Sequence, residues 1–146
     1  MLAALDAWWK RLSQTGTAGL DTEDERKTRL LNQCAVVAAL TLLGFSAGYW
    51  TDPARFWFAL AVNITAAALQ LCVIPLVGAG RRRLAVGLFL FVCNAQLAVV
   101  SYYLGPQVGF QYYFFAFAAV VLLVVPRRDW FFYPFSAVSA AGYLYF

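Results

Sequence analysis

The charges of this chain are not scattered, and their spacing limits what it can fold into. Arg29 is the last charge before Asp52, Arg55 the last before Arg81, Arg83 the last before Arg127, and nothing charged follows Asp129. The charge-free intervals are therefore 30–51, 56–80, 84–126 and 130–146, of 22, 25, 43 and 17 residues. A helix that crosses the hydrocarbon of a bilayer needs about 20 apolar residues at about 1.5 Å rise each. Composition agrees: 12% of residues are charged and mean hydropathy is +0.69, where a soluble domain carries about 25% charge. The chain reads as all-α, a polytopic transmembrane helical bundle. Water-exposed enzymes, nucleic-acid modules and secreted disulfide domains are excluded.

The 43-residue interval would be about 65 Å as one helix, twice the hydrocarbon thickness. It must fold back, and Gly105-Pro106 is the strong breaker pair near its centre. Five spans follow, at about 30–50, 56–77, 84–104, 108–125 and 130–146. Pro75 falls in the last turns of the second, and Gly78-Ala79-Gly80 is a turn rather than a phosphate cradle, since no Gly-Lys-Ser/Thr ending follows. Ahead of the spans, 1–21 reads as a cytoplasmic N-terminal segment. Within it Leu2, Leu5, Trp9 and Leu12 recur at helical spacing opposite Asp6 and Lys10, the pattern of an interfacial helix, with a frayed and solvated tail as the alternative. Thr22 and Glu25 have the spacing of a capping box. The pairs Glu23–Lys27 and Glu25–Arg29 sit at i,i+4, so one long helix is expected from about 22 to Trp50.

Lys and Arg counts set the orientation. The N-terminal segment carries five, the 78–83 loop three and the 126–129 loop two, against one in 51–55 and none in 104–110. Positive charge stays inside, so the N-terminus is expected in the cytoplasm of a multi-pass protein of the bacterial inner membrane. The fifth span then finishes outside on Tyr143, Tyr145 and Phe146 with no polar cap. That ending reads as a fragment of a longer chain, cut before a sixth span.

The residues for chemistry are few. There is no histidine, which removes the commonest metal ligand and the usual general base. Cys34, Cys72 and Cys93 each lie inside an apolar interval and read as packing residues. No nucleophile–base pair and no metal site can be assembled, so no catalytic residue, metal or cofactor is expected in this chain. No span contains a charge, which argues against active transport. The excess positive charge sits in loops where topology explains it and does not indicate nucleic acid.

The polar residues inside the spans are candidates instead. Asn63 and Gln70 are seven apart on the second span, and Asn94 and Ser101 on the third. Amides cannot face lipid unsatisfied, so both faces are expected to point inward, as interhelical glue or as a neutral ligand lining. Gly44 and Gly48 form a GxxxG motif and Ala137 with Ala141 a small-xxx-small pair. These are expected to serve helix packing within the bundle ahead of a dimer seam. The densest aromatic feature is Tyr102-Tyr103 with Gln111-Tyr112-Tyr113-Phe114-Phe115 beyond the charge-free loop. An interfacial belt has this composition, and so does a vestibule for a small lipophilic ligand. Tyr102, Tyr103, Gln111, Tyr112 and Phe115 are the candidate ligand-binding residues.

Certain stretches resemble a known architecture. They are Arg29-Leu30-Leu31-Asn32 leading into the first span, Phe56-Trp57-Phe58-Ala59-Leu60-Ala61-Val62-Asn63, Gly109-x-Gln111-Tyr112-Tyr113-Phe114-Phe115, and the Arg127-Arg128 loop. The chain resembles the six-helix membrane domain of bacterial class III adenylate cyclases, which is similar to that of α-hydroxyketone quorum-sensing histidine kinases. The resemblance covers about 22–146, while 1–21 matches nothing. Helix six and the output domain with its metal-binding aspartates are absent here, so no catalytic residue carries over. The resemblance implies a sensory anchor of a homodimeric receptor enzyme making cAMP from ATP, with ATP and a divalent metal held only in the output domain. A sensor histidine kinase or a diguanylate cyclase is the alternative, and a small transporter or scaffold subunit the second.

Overall fold

The computed structural model describes residues 2–105 and 111–145. Among them seven α-helices follow one another: α1 (Leu2–Ser13), α2 (Thr22–Tyr49), α3 (Pro53–Leu71), α4 (Val73–Gly78), α5 (Arg82–Leu104), α6 (Gln111–Val124) and α7 (Pro134–Tyr145). A 3₁₀ segment, Arg127–Phe132, lies between the last two. No strand occurs among the described residues. The molecule is an all-α helical bundle of the membrane type. Among the described residues three helical stretches are long and apolar enough to cross a bilayer: Thr22–Tyr49, Pro53–Gly78 and Arg82–Leu104.

The helix starts follow from their caps. At α2 the cap is Asp21, in extended conformation, whose carboxylate accepts the Asp24 N–H at 2.8 Å. The cap therefore sits one residue before the expected Thr22. Glu25, the other half of the expected capping box, instead pairs with Arg29 at 2.7 Å, and Glu23 pairs with Lys27 at 3.2 Å. Glu23, Asp24 and Glu25 in the first turn favour the positive end of the helix dipole. At α3 Asp52 accepts from the Arg55 N–H, and Pro53 occupies a first-turn position where its missing N–H costs nothing.

The second span runs from Pro53 to Gly78, with its helix interrupted at Cys72. Pro75 has no N–H to give the Leu71 carbonyl, so α3 stops at Leu71 and α4 restarts at Val73 across Cys72. The second piece ends in a Schellman motif: Gly80 has φ +73°, its N–H reaches Val77 O, and the Arg81 N–H reaches Leu76 O.

The last two helices are shorter than the spans expected there. At 14 and 12 residues α6 and α7 are about 21 and 18 Å long, against about 30 Å of hydrocarbon. The expected fourth span began at 108, and 108–110 lie outside the described residues. The expected fifth began at Trp130, but its helix begins at Pro134. Asp129 explains the delay: it is buried at 1% exposure under Arg83, with Oδ1 2.9 Å from Nε. Holding that carboxylate bends 127–132 into a tight turn with Asp129 itself off helical geometry.

The main core joins α2, α4, α5, α6 and the 3₁₀ segment through Leu31, Val73, Val86, Phe89, Leu90, Val121 and Phe132. Between α2, α3 and α5 the contact is made by small residues, Ala39, Ala66 and Ala67 with Leu42 and Val92, which let backbones approach closely. Gly44 and Gly48 take no part. A Cβ at either would meet nothing within 4 Å among the described residues. Ala137 and Ala141 are likewise exposed. The close approach of α7 to α6 is made at Gly142, where a Cβ would stand 3.0 Å from the Phe114 ring. The expected packing of those two small-residue pairs inside the bundle is thus not found; neighbouring small residues do that work.

Candidate functional site: an intramembrane cavity

A cavity of about 380 Å³ lies halfway along the bundle. Along α2 the residues that face it are Leu30, Cys34, Val37, Ala38, Thr41 and Phe45, spaced by three or four as one helix face requires. Phe89, Cys93 and Gln96 do the same from α5, and Tyr113, Ala116, Phe117 and Val120 from α6. Gln70 of α3 contributes the floor. No charged residue lines it among the described residues, and Gln33, Thr41, Gln70, Gln96 and Tyr113 bring polar groups to it. Native interiors hold few voids larger than a water molecule, and small-ligand sites begin near about 300 Å³.

The polar groups around the cavity are tied to one another. Gln70 is fully buried. Its Nε2 donates to Cys93 Sγ at 3.0 Å and to Phe89 O at 3.5 Å, while Oε1 has no partner. An acceptor left so in apolar surroundings costs about 1–3 kcal/mol. One and two turns along, Gln96 Nε2 donates to the Oδ1 of the fully buried Asn63 at 3.0 Å. Asn94 lies elsewhere on α5, where its Nδ2 donates to Leu90 O and its Oδ1 accepts from Ser139 of α7 at 2.8 Å. Ser101 is buried near the end of α5, with no partner for its hydroxyl. Of the four singled-out polar residues, Gln70 alone lines the cavity.

The aromatic candidates lie further out. Tyr102 is 84% and Tyr112 64% exposed, and neither lines the cavity. Tyr103 packs on Phe58 with ring centres 5.1 Å apart and donates its hydroxyl to Arg55 O at 2.9 Å, tying α5 to the start of α3. Gln111 and Phe115 belong to α6 by their backbone, and their side chains lie outside the described residues. Tyr113, between them, is exposed but lines the cavity and meets Phe45 edge-on at 6.2 Å. Sequence reasoning missed Cys34, Phe45, Cys93 and Gln96 as lining residues. The only available signal was a helical face on each of α2 and α5, visible once the pairing of those helices is known.

At one end of the bundle lies a second polar centre. Asp24 of α2 is met by Arg82 of α5 at 3.0 Å and by Arg128 of the 3₁₀ segment at 2.9 Å. Lys27 Nζ donates to Val125 O at 2.8 Å. Asn32 holds the end of α1, its Nδ2 donating to the carbonyls of Leu12, Ser13 and Thr15. The amphipathic α1 is thereby docked to the charged end while Leu5 and Trp8 stay exposed on its apolar face.

Such a domain is a helical membrane bundle with an uncharged cavity open on one side. The family model of MASE7, a membrane-associated sensor domain, matches residues 18–144, and the chain belongs to that family. Comparison with curated proteins and with solved structures found no match.

Proposed function

We propose that this domain is the sensory input of a bacterial signalling enzyme, and that the enzyme is a class III adenylate cyclase making cAMP from ATP. The observation that carries the sensory reading is the sensor-family match across 18–144. The resemblance at 29–32, 56–63 and 109–115 is to the input module of such cyclases, a module that would look alike on a sensor histidine kinase or a diguanylate cyclase. ATP and its divalent metal belong to the output domain, not to this bundle. The ten-to-one split of Lys and Arg supports a charged end in the cytoplasm and a place in the bacterial inner membrane. The receptor works as a homodimer in the bilayer and has no nucleic-acid partner. Tyr102, Tyr103, Gln111, Tyr112 and Phe115 form the extracytoplasmic rim at which a small lipophilic molecule first meets the protein. A ligand regulates such a domain only if it binds one helix packing better than another.

The test is to express the full gene product in a host stripped of its own cyclases and to assay isolated membranes. Formation of cAMP is the expected result. Phosphohistidine or cyclic di-GMP would move the reading to a kinase or a diguanylate cyclase, and no signalling product at all would overturn it. Reporters fused after Gly105 and after Arg82 should behave as extracytoplasmic and cytoplasmic, respectively.

A further inference from the structure

The first helix is tied to the bundle at one end only. Asn32 Nδ2 donates to the carbonyls of Leu12, Ser13 and Thr15. The linker that follows crosses α4 so closely that a Cβ on Gly16 would lie 2.6 Å from Val77 O. From Ala4 to Trp8, by contrast, every residue of α1 is exposed. The points that hold α1 also set its level. Asn32 stands about 15 Å along α2 from Thr22, just past Arg29, the last charge before the apolar interval 30–51. Val77 lies just before Arg81, where the apolar interval 56–80 ends. Both anchors sit where charged chain gives way to apolar chain, which in a bilayer is the headgroup level. There α1 leaves the bundle.

At about 100° per residue Leu5, Trp8, Trp9 and Leu12 share one face of α1, turned away from Asp6, Lys10 and Arg11. The face continues an existing contact. Trp9 and Leu12 are half-buried where α1 meets the bundle, and Leu5 and Trp8 carry the stripe into the open at 60% and 50% exposure. The charges complement an anionic surface. Lys10 is paired with Asp6 at 2.8 Å, whereas Arg11 and Arg81 are exposed and make no ion pair among the described residues. Arg81 belongs to the turn that touches the linker, where a Cβ on Gly78 would lie 3.1 Å from Thr15 Cγ2. The helix also lies ahead of the family match at 18–144, so membership of that family does not account for it.

We propose that α1 is a membrane-surface helix that binds the anionic phospholipid of the leaflet at the charged end. Leu5 and Trp8 enter the acyl chains, and Arg11 and Arg81 bind the phosphates. Through Asn32 that surface is joined to α2. The inference does not depend on which enzyme follows the bundle or on the sensory reading.

The test uses the intact chain in nanodiscs of phosphatidylcholine, with or without phosphatidylglycerol. The photo-crosslinker p-benzoylphenylalanine is placed at Leu5, at Trp8, or at Ala7 on the opposite face. Lipid adducts are expected from 5 and 8 and not from 7. Amide hydrogen exchange across 4–13 should be about five- to thirtyfold slower with phosphatidylglycerol, at about 1 kcal/mol for each of two arginines. Arg11→Gln combined with Arg81→Gln should bring the two lipid compositions to the same rate without moving the unfolding midpoint of the bundle.

Adducts in equal yield from 5, 7 and 8, or crosslinks from 5 and 8 to a second copy of the chain in place of lipid, would overturn the membrane-surface helix. Equal exchange in the two lipid compositions for the wild-type chain would overturn the anionic preference. A difference that persists in the double variant would overturn the assignment to Arg11 and Arg81.

Discussion

The two ends of this bundle are held together by different forces. At the charged end α1, α2, α5 and the 3₁₀ segment are tied by Asp24 with Arg82 and Arg128, Asp129 with Arg83, Lys27 with Val125 O, and Asn32 with three carbonyls. At the aromatic end, near Tyr49, Pro53 and Leu104, contact is made by rings: Tyr49 on Phe56 at 5.3 Å, Phe58 on Tyr103, and Phe45 on Tyr113. A hydrogen bond joins two helices there as well, from the Tyr103 hydroxyl to Arg55 O. Ion pairs and hydrogen bonds fail steeply with distance and angle, whereas ring contacts are favourable over centroid separations of about 4.5–7 Å. The charged end therefore fixes spacing and the aromatic end tolerates a change in it. A change in helix packing would therefore move the helices most at the aromatic end, with the charged end as the pivot.

The largest effect should come from Asp24→Ala. Arg82 is mostly buried beside it and would lose its counter-charge, and breaking a buried pair from one side costs about 3–5 kcal/mol. Thermal unfolding in mild detergent should show this as a clear drop in midpoint. Should Asp24→Ala prove as mild as a substitution at the aromatic end, the asymmetry between the ends would be broken.

Next comes a matched pair in the linker that docks α1. Gly16 and Gly19 both have positive φ, at +70° and +77°, but a Cβ at Gly16 would lie 2.6 Å from Val77 O while one at Gly19 meets nothing. Alanine at either position adds backbone strain of about 1–2 kcal/mol. Only at Gly16 does it also push the linker off α4. Limited proteolysis should cut Gly16→Ala between 14 and 21 well before Gly19→Ala. Equal rates would mean that the close approach does not hold α1 in place.

Much of this architecture could be read in the sequence because hydropathy needs only one dimension. Charge-free intervals placed α2, α3 and α5, and the breakers at Thr51-Asp52-Pro53 and Gly78-Ala79-Gly80 placed their ends. What could not be read depended on partners far away in the chain. Trp130 looks like the start of a span until Asp129 is seen beneath Arg83, 46 residues earlier. Asp21 and Thr22 are both good capping residues, and the extended backbone at Asp21 decides between them. The cavity has no linear motif at all, since it is the space left when faces of α2, α5 and α6 meet over Gln70. The GxxxG motif spells out close approach without naming the partner. Here α2 does carry a legible answer: its buried stripe of Leu31, Ala35, Ala39, Leu42 and Ser46 leaves Gly44 and Gly48 on the opposite side at about 100° per residue.

A smaller effect is expected at the aromatic end. Tyr103→Phe keeps the ring on Phe58 and removes only the hydrogen bond to Arg55 O. Interhelical bonds in membrane proteins average about 0.6 kcal/mol, so the unfolding midpoint should fall slightly. A loss comparable to that of Asp24→Ala would show that the aromatic end is pinned as well.

A small change of the opposite sign in the stability of one chain should follow Gly44→Ala and Gly48→Ala. Both glycines lie within α2 at ordinary helical conformation, and the added methyl meets no atom of the described chain. Replacing a helical glycine by alanine removes backbone entropy from the unfolded state and stabilises by about 0.5–1 kcal/mol. Each variant should thus unfold at the same temperature as the parent or slightly above it. The sharper readout is association. If a second copy of the chain uses this open small-residue face, a methyl at the point of closest approach separates the two backbones. Energy transfer between labelled copies in vesicles should then fall, while the midpoint for the single chain does not. A fall in both would place the stripe inside the bundle. No change in either would leave the glycine face to lipid and move the dimer contact to another helix.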